Sequence, residues 1–326
     1  MPSIKKILVP TDFSDNASSV YKYARTTAQN YGATVDFIHI VPRRLNYFSL
    51  DRDELGYIFE DKDKYARLRT RVIEKLQAEM DAHIPAENRG KVFAKNEDRA
   101  AGGIVEHAMS ESYDLIIMAA RGGHESKFTR GSVTEKVIRI ATTPVVTVNR
   151  GYDPKINTIV VPTDTSNTSL GALPMAVLVA DHREAAIHLT TVSKRDENKI
   201  KTGGEAIYKH VDEEMKEKVL KALQEFVDGS DELEFVNPPQ LSDEYVQLKI
   251  KGGQVVRLNI IVLKGVSTHD SIASYARDHA QLVVMGTHGR SGLSYIFLGS
   301  TTEKVIRHLK LPVLTIKPKF VKKWGK

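Results

Sequence analysis

Residues 285–301 read MGTHGRSGLSYIFLGST. Gly286, Gly289, Gly292 and Gly299 stand close together, and the run finishes on Gly299-Ser300-Thr301. Glycine loses more conformational freedom on folding than any other residue, so this density points to tight bends or to close approach of the backbone to a bound group. The flanks give it a place in a fold. LVVMG at 282–286 is a continuous apolar run of strand length, and Ser300 with Glu303 makes the S-x-x-E pattern of a capping box that opens a helix. The stretch is predicted as strand, glycine-bearing loop and helix N-terminus. Such a place offers backbone N–H groups and the positive end of a helix dipole, both suited to an anion.

The chain contains this pattern twice. ILVPTDFSDNAS at 7–18 is matched by IVVPTDTSNTSL at 159–170, an offset of 152. GSVTEKVIRIATTPVVTV at 131–148 is matched by GSTTEKVIRHLKLPVLTI at 299–316, an offset of 168. Between them DLIIMAARGG at 114–123 parallels QLVVMGTHGR at 281–290. The chain is a tandem duplication joined near NRGYDP at 149–154, with expected domains at 1–150 and 155–318 and a basic tail at 319–326. The larger second offset means that copy two carries extra residues. We place them at 237–256, where YVQLKI and VVRLNIIVL around Lys251-Gly252-Gly253 predict a β-hairpin decorating the sheet edge.

Each copy alternates strand and helix. Copy one reads as strand IKKILVP, helix 15–31 stopping at Gly32, strand VDFIHIV, helix 62–82 with Leu68, Val72 and Leu76 inward, strand KVFA, a helix from about Gly102 to Ser112, strand LIIMA, a helix from Ser132 and strand VVTV. Copy two repeats it with TIVVP, a helix through Met175, IHLTTV, helix 205–227, LNIIVL, a helix from Asp270, LVVMG, a helix from Ser300 and VLTI. Continuous apolar strands alternating with helices predict two doubly wound α/β domains, each an α/β/α sandwich on a five-stranded parallel sheet. The short apolar fifth strands, Val145–Val148 and Val313–Ile316, are edge strands in want of a partner.

Composition narrows the function classes. The 326 residues are 41% hydrophobic and 27% charged, with no cysteine, so no disulfide frame, thiolate nucleophile or cysteine-based metal site is available. No apolar run approaches the ~20 residues of a membrane span, and MPSIKKILVP lacks a signal-peptide core, so a cytoplasmic location is expected. The net charge of +6 gathers in the tail with Lys317, Lys319, Lys322, Lys323 and Lys326, without an aromatic-basic stripe, and neither nucleic acid nor membrane is expected as a partner.

Gly286-x2-Gly289-x9-Gly299-Ser300 resembles the ATP-binding signature of the universal stress protein family, and Val161-Pro162-Thr163-Asp164 resembles its first-strand turn. The resemblance covers almost the whole chain as two tandem copies. It implies an adenine nucleotide, ATP or AMP or ADP, with Mg²⁺ compatible, held where strands one and four of a domain separate. On that resemblance Pro162, Thr163 and Asp164 match the turn around adenine and ribose, and Val192 the residue beside adenine. Met285, Gly286, Thr287, Gly289, Gly299, Ser300 and Thr301 match the phosphate loop and its approach. Asp164 can accept from ribose hydroxyls, while Gly289 and Gly299 let amides approach phosphate oxygens. The plainer reading of Asp164 is a turn carboxylate, since Thr-Asp-x-Ser also caps a helix. The family's usual dimer, joined through the fifth strand, implies a pseudo-two-fold pairing of the two copies, with Val146 meeting the Leu314 region. A further homodimer is compatible with it.

Copy one departs from the pattern. Ala119 stands where copy two has Gly286, a place we expect to require positive φ, and the Gly122–Gly131 spacing is one residue shorter. A weaker second site, with altered specificity or empty, is expected at Pro10, Thr11, Asp12, Ile40, Gly122, Gly131 and Ser132, with Arg121 and Arg130 able to bind phosphate or to fill it.

Other chemistries find no pattern. There is no G-x-G-x-x-G after a first strand, no G-x4-G-K-[ST], no metal-ligand spacing among the 11 histidines and no nucleophile with a positioned base. His288 reads as a loop residue, and no catalytic residue is expected. The aromatic run LNYFSLDRDELGYIF at 45–59 is either a lid or a loop packed on its own domain. Three functions stay open: a nucleotide-dependent regulatory module of a stress response, a slow ATPase or adenylating enzyme, and a scaffold with vestigial sites.

Overall fold

The computed structural model describes residues 3–42, 62–120, 132–151, 155–194, 205–287 and 298–317. The aromatic run, both glycine loops between strand and helix, and the basic tail lie outside these residues. Packing divides the chain into two compact units, one spanning Ile4–Ile140 and one beginning at Ala141.

The first unit runs β1 (Lys6–Pro10), α1 (Ala17–Tyr31), β2 (Thr34–Val41), α2 (Lys62–His83), a 3-10 turn at Ala86–Asn88, β3 (Arg89–Asn96), α3 (Ala100–Ser110), β4 (Leu115–Ala119) and α4 (Ser132–Ile140). Its strands are parallel in the order β3-β2-β1-β4. α1 ends as expected at Gly32, whose φ of 62° is the left-handed cap that glycine adopts without penalty. The inward face of α2 is shorter than its periodicity predicts. Leu76 and Met80 are fully buried, whereas Leu68 is 36% exposed.

The second unit contains β5 (Val145–Val148), β6 (Thr158–Pro162), α5 (Asn167–Leu170), α6 (Leu173–Asp181), β7 (Ala186–Lys194), α7 (Glu205–Asp228), β8 (Leu233–Phe235), β9 (Val246–Ile250), β10 (Val256–Gly265), α8 (Thr268–His279), β11 (Leu282–Gly286), α9 (Ser300–His308) and β12 (Val313–Ile316). The strand order is β5-β12-β11-β6-β7-β10-β9-β8. β12, β11, β6, β7 and β10 are parallel, and β9 and β8 extend the sheet antiparallel. β9 and β10 form the expected hairpin around Lys251–Gly253. Asp181 at the end of α6 holds its turn, accepting from the Gln254 amide at 3.1 Å. The single helix expected through Met175 is two, α5 and α6. Pro174, at the second position of α6, has no N–H to continue the α5 ladder.

β5 belongs to the first repeat by sequence but to the second unit by packing. It pairs antiparallel with β12, Leu314 opposite Val146, so the compact unit begins at Ala141 rather than at the repeat joint near 150. A four-residue apolar strand is stable only with a neighbour on its hydrogen-bonding edge, and here β12 is that neighbour.

A buried imidazole, His107, and a half-buried one, His188, tie stability to pH. His107 of α3 lies against the Phe93 ring at 4.4 Å, and His188 of β7 is hydrogen-bonded through Nδ1 to Tyr275 Oη at 2.9 Å. Burial, joined by Lys95 near His107 and by His279 near His188, pushes both below the ordinary 6.5. Below that value the unfolded chain binds protons that the native state refuses, so stability falls as pH drops from about 6.5. Denaturant midpoints at pH 5 should lie below those at pH 7. The double variant His107→Leu/His188→Leu should flatten that difference, and an unchanged slope would remove these groups from the acid response.

Candidate functional site

The sheet of the second unit opens where the chain changes direction. From β6 it winds through β7 to β10, then returns to β11 and β12 on the other side of β6. β6 and β11 are paired only at Ile159–Leu282 and Val160–Val283, and beyond these they separate. Crevices at the carboxyl ends of such strands are where open α/β sheets take ligands. Here the crevice is a cavity of about 320 Å³. Pro162, Thr163 and Asp164 line it from the end of β6, Thr190 and Val192 from β7, and Met285 and Gly286 from β11. Thr268 and Ile272 come from α8, Ser169 from α5, and Gly299 to Thr302 from the opening of α9.

The turn after β6 is held by its own hydroxyls. The Thr163 amide donates to the Thr190 carbonyl at 2.8 Å, extending the strand pairing by one residue. Thr163 Oγ1 accepts from the Thr165 amide at 2.9 Å and meets Ser169 Oγ at 2.9 Å. Asp164 Oδ1 accepts from the amide and hydroxyl of Ser166 at 3.1 and 2.5 Å, and Ser166 caps α5 by accepting from the Ser169 amide. One carboxylate oxygen of Asp164 therefore shapes the turn. Thr165 has φ of 69°, an uncommon left-handed conformation for a β-branched residue. The first repeat makes the same turn, with Phe13 at φ 60° and Asp12 Oδ1 accepting from the Ser14 amide at 3.1 Å.

The opening of α9 corrects two expectations. Ser300 and Glu303 do not form a capping box: the N-cap is Gly299, no side chain caps this end, and Glu303 pairs with Arg307 at 2.7 Å. The first i→i−4 bond runs from the Glu303 amide to Gly299, so the amides of Ser300, Thr301 and Thr302 precede the helical ladder. A cap without a side chain leaves these donors to whatever enters the crevice. In the first repeat Glu135 is likewise engaged by Arg139 at 2.7 Å. Second, Gly286 does not need positive φ. It ends β11 in extended conformation, Gly299 has φ of −58°, and left-handed glycines among the described residues are Gly32, Gly151 and Gly252. Ala119, which ends β4, therefore brings a methyl group but no backbone strain. In both repeats a helix threonine ties down this strand end, Thr302 Oγ1 to the Gly286 carbonyl at 3.0 Å and Thr134 Oγ1 to that of Ala119 at 2.9 Å.

Of the other expected residues, Thr287 is buried behind the cavity. Its amide donates to the Ile316 carbonyl at 2.9 Å and its carbonyl accepts from the Gly299 amide at 2.8 Å. Gly289, Gly122 and Gly131 lie outside the described residues, and Ser132 is the first residue of α4. Pro10 ends β1 and Ile40 lies on β2. Thr11 Oγ1 meets Tyr21 Oη at 2.7 Å, and burial raises that phenol to about 12. Beside them the Phe13 ring lies against His39 at 4.9 Å, with Lys75 Nζ 4.4 Å from its centre. Aromatic side chains thus pack around the first-repeat turn where the second repeat carries small hydroxyl residues.

Thr190 is a cavity-lining residue that sequence reasoning missed. It is 0% exposed, it lines the cavity, and among the described residues its Oγ1 has no hydrogen-bond partner. The period of a strand could have found it, since residue 190 shares a face of β7 with Val192.

The family description that matches the chain is the Universal stress protein family, over residues 3–149 and again over 155–317. A universal stress protein of Methanocaldococcus jannaschii is 29% identical over 162 residues, covering 49% of this chain and 81% of that protein. A second from the same organism is 30% identical over 155 residues, covering 45% and 95%. Among solved structures, a universal stress protein from Archaeoglobus fulgidus superposes with a TM-score of 0.61 at 21% identity, covering 97% of each chain, which shows a shared fold.

Proposed function

The chain belongs to the universal stress protein family, and from that premise we propose that it is a nucleotide-dependent regulatory module. It binds an adenine nucleotide, ATP or its AMP and ADP relatives, chiefly in the second repeat. The observation that carries this reading is the cavity between the diverging ends of β6 and β11, floored by a helix start whose cap has no side chain. Ser300 and Thr301 receive the phosphates on amides and hydroxyls across the bare Gly299, with Gly289 the further phosphate-loop residue that the resemblance implies. Pro162, Val192 and Met285 bound the apolar side where a base stacks, and Thr163 and Asp164 face the sugar. Mg²⁺ accompanies a triphosphate from solvent. The β5–β12 pairing supports an intramolecular pseudo-dimer of the two repeats, residues 1–150 and 155–318.

Denaturing freshly purified protein and separating what it releases by chromatography should yield an adenine nucleotide. Ligand-free protein should melt higher with ATP: at about 1 mM ATP and a Kd near 10 μM the stabilisation is about 2–3 kcal/mol. No released nucleotide together with no thermal shift would sink the reading.

Thr190 sharpens it. A buried hydroxyl without a partner costs about 1–3 kcal/mol, which a bound ligand with a hydrogen-bonding edge recovers. Thr190→Val keeps the shape and removes the unpartnered group. It should raise the melting temperature of the ligand-free protein while weakening ATP about tenfold, opposite signs that calorimetry and thermal melts read separately.

A further inference from the structure

Outside the cavity the fold gathers three metal-binding side chains that no sequence spacing announces. His269 and Asp270 open α8 and His308 closes α9. Each offers one ligand atom, and the three atoms lie within 4.8 Å of one another. Nε2 of His269 is 3.5 Å from Asp270 Oδ1, and the two imidazoles are stacked with centres 5.6 Å apart and planes 25° from parallel. Ser267 organises the group from behind. Its Oγ is 2.9 Å from His269 Nδ1 and caps α8 by accepting from the Asp270 amide. In the tautomer that carries its proton on Nδ1, His269 donates to Ser267 Oγ and keeps its Nε2 lone pair for the cluster, where Nε2 already faces Asp270.

We propose that His269, Asp270 and His308 form a binding site for a borderline transition-metal dication of the Zn²⁺ class, with its fourth position open to water. Two imidazoles and one carboxylate suit zinc, nickel or copper, whereas magnesium and calcium prefer all-oxygen shells. Nitrogen and oxygen ligands of tetrahedral zinc lie about 2.0–2.2 Å from the metal, so ligand atoms sit about 3.3–3.6 Å apart. The His269–Asp270 pair already meets that separation, and the exposed His308 ring closes the site by a small rotation. Lys304 also stands near Asp270 and opposes a cation, so the expected affinity is micromolar and not that of a closed four-ligand site. Thr268 and Ile272, neighbours of the ligands on α8, form one wall of the cavity. A bound metal would hold that helix end in place.

The test is calorimetric titration of Zn²⁺ alone into the untagged full chain, free of nucleotide and in a non-chelating buffer. One equivalent should bind with micromolar affinity. His308→Ala and Asp270→Asn should each weaken that event by about tenfold or more, with metal-free melting temperatures unchanged because these side chains are exposed. Ser267→Ala should weaken it less, in the manner of a group that orients a ligand. Imidazole ¹⁵N spectra should show Zn²⁺ shifting Nε2 of His269. No saturable binding, or an isotherm and imidazole spectrum untouched by His308→Ala, overturns the proposal. Because nucleotide is left out, these outcomes do not depend on the fate of the nucleotide reading.

Discussion

Gly299→Val is expected to abolish nucleotide binding and leave the fold intact. The backbone there has φ of −58° and ψ of 138°, a conformation open to any residue, so the substitution introduces no left-handed strain. What changes is the space in front of the helix start. Gly299 lines the cavity as the N-cap of α9, and its missing side chain lets a ligand reach the amides of Ser300, Thr301 and Thr302. A valine at this point competes with the phosphates for that room and screens the amides. Losing two or three charge-assisted hydrogen bonds and adding a steric conflict should weaken ATP at least about a hundredfold, about 3 kcal/mol. Valine is also the poorer N-cap, at about 0.5–1 kcal/mol, so the melting temperature should fall by only a few degrees. Calorimetry with ATP beside a thermal melt checks both halves. An unchanged Kd in a folded variant would remove this helix end from the mechanism.

Asp36→Ala should be the most destabilising single change in the first unit. Asp36 lies on β2, 3% exposed, with Oδ2 accepting from Tyr113 Oη at 2.5 Å and Oδ1 from the Lys91 amide at 2.6 Å. Lys6 Nζ stands 4.0 Å away. The β3 backbone comes so close that a methyl group on Gly90 would overlap Asp36 Oδ1, which is why glycine is required there. Burial and the hydrogen bond to Asp36 keep the Tyr113 phenol protonated far above its usual range, so it remains the donor. Truncating the carboxylate strands the buried Tyr113 hydroxyl and the part-buried Lys91 amide and creates a void. A stranded buried donor costs about 1–3 kcal/mol, and the second donor and the void add to it, for about 3–5 kcal/mol in all. Adding Tyr113→Phe to Asp36→Ala should restore part of the loss, because one stranded donor disappears, and a double-mutant cycle by denaturant unfolding measures it. A cost under about 1 kcal/mol would show that water replaces the carboxylate without penalty.

Local rules carried the reading where neighbours in the chain do the physical work. The Pro-Thr-Asp turns close through hydrogen bonds within a few residues, which is why Asp12 and Asp164 occupy matching places in both repeats. Gly32 ends α1 because only its own backbone conformation is at stake. The same rules failed where a partner comes from elsewhere. Ser300 and Glu303 matched a capping box, yet the helix start is governed by Thr287 and Gly286 of the preceding strand, which bind Gly299 and Thr302. Leu68 matched an inward face, yet it is 36% exposed, since which groups cover a helix face is not written in the helix itself. The helix through Met175 was misread for a local reason, since Pro174 should have been given its weight.

The sequence by itself determined the duplication, the strand–helix alternation and the position of the two elements that border the cavity. Each of these depends on periodicity and on turn chemistry within a few residues. The family resemblance had already implied that β5 joins β12, with Val146 at Leu314; tertiary structure alone decided that Asp36 is buried against Tyr113, that Thr190 Oγ1 finds no partner among the described residues, and that His308 meets His269. Such outcomes follow from which distant groups share a low-dielectric interior or a helix end. Hydrogen-bond satisfaction and ligand convergence are properties of that shared space, and spacing along the chain does not encode them.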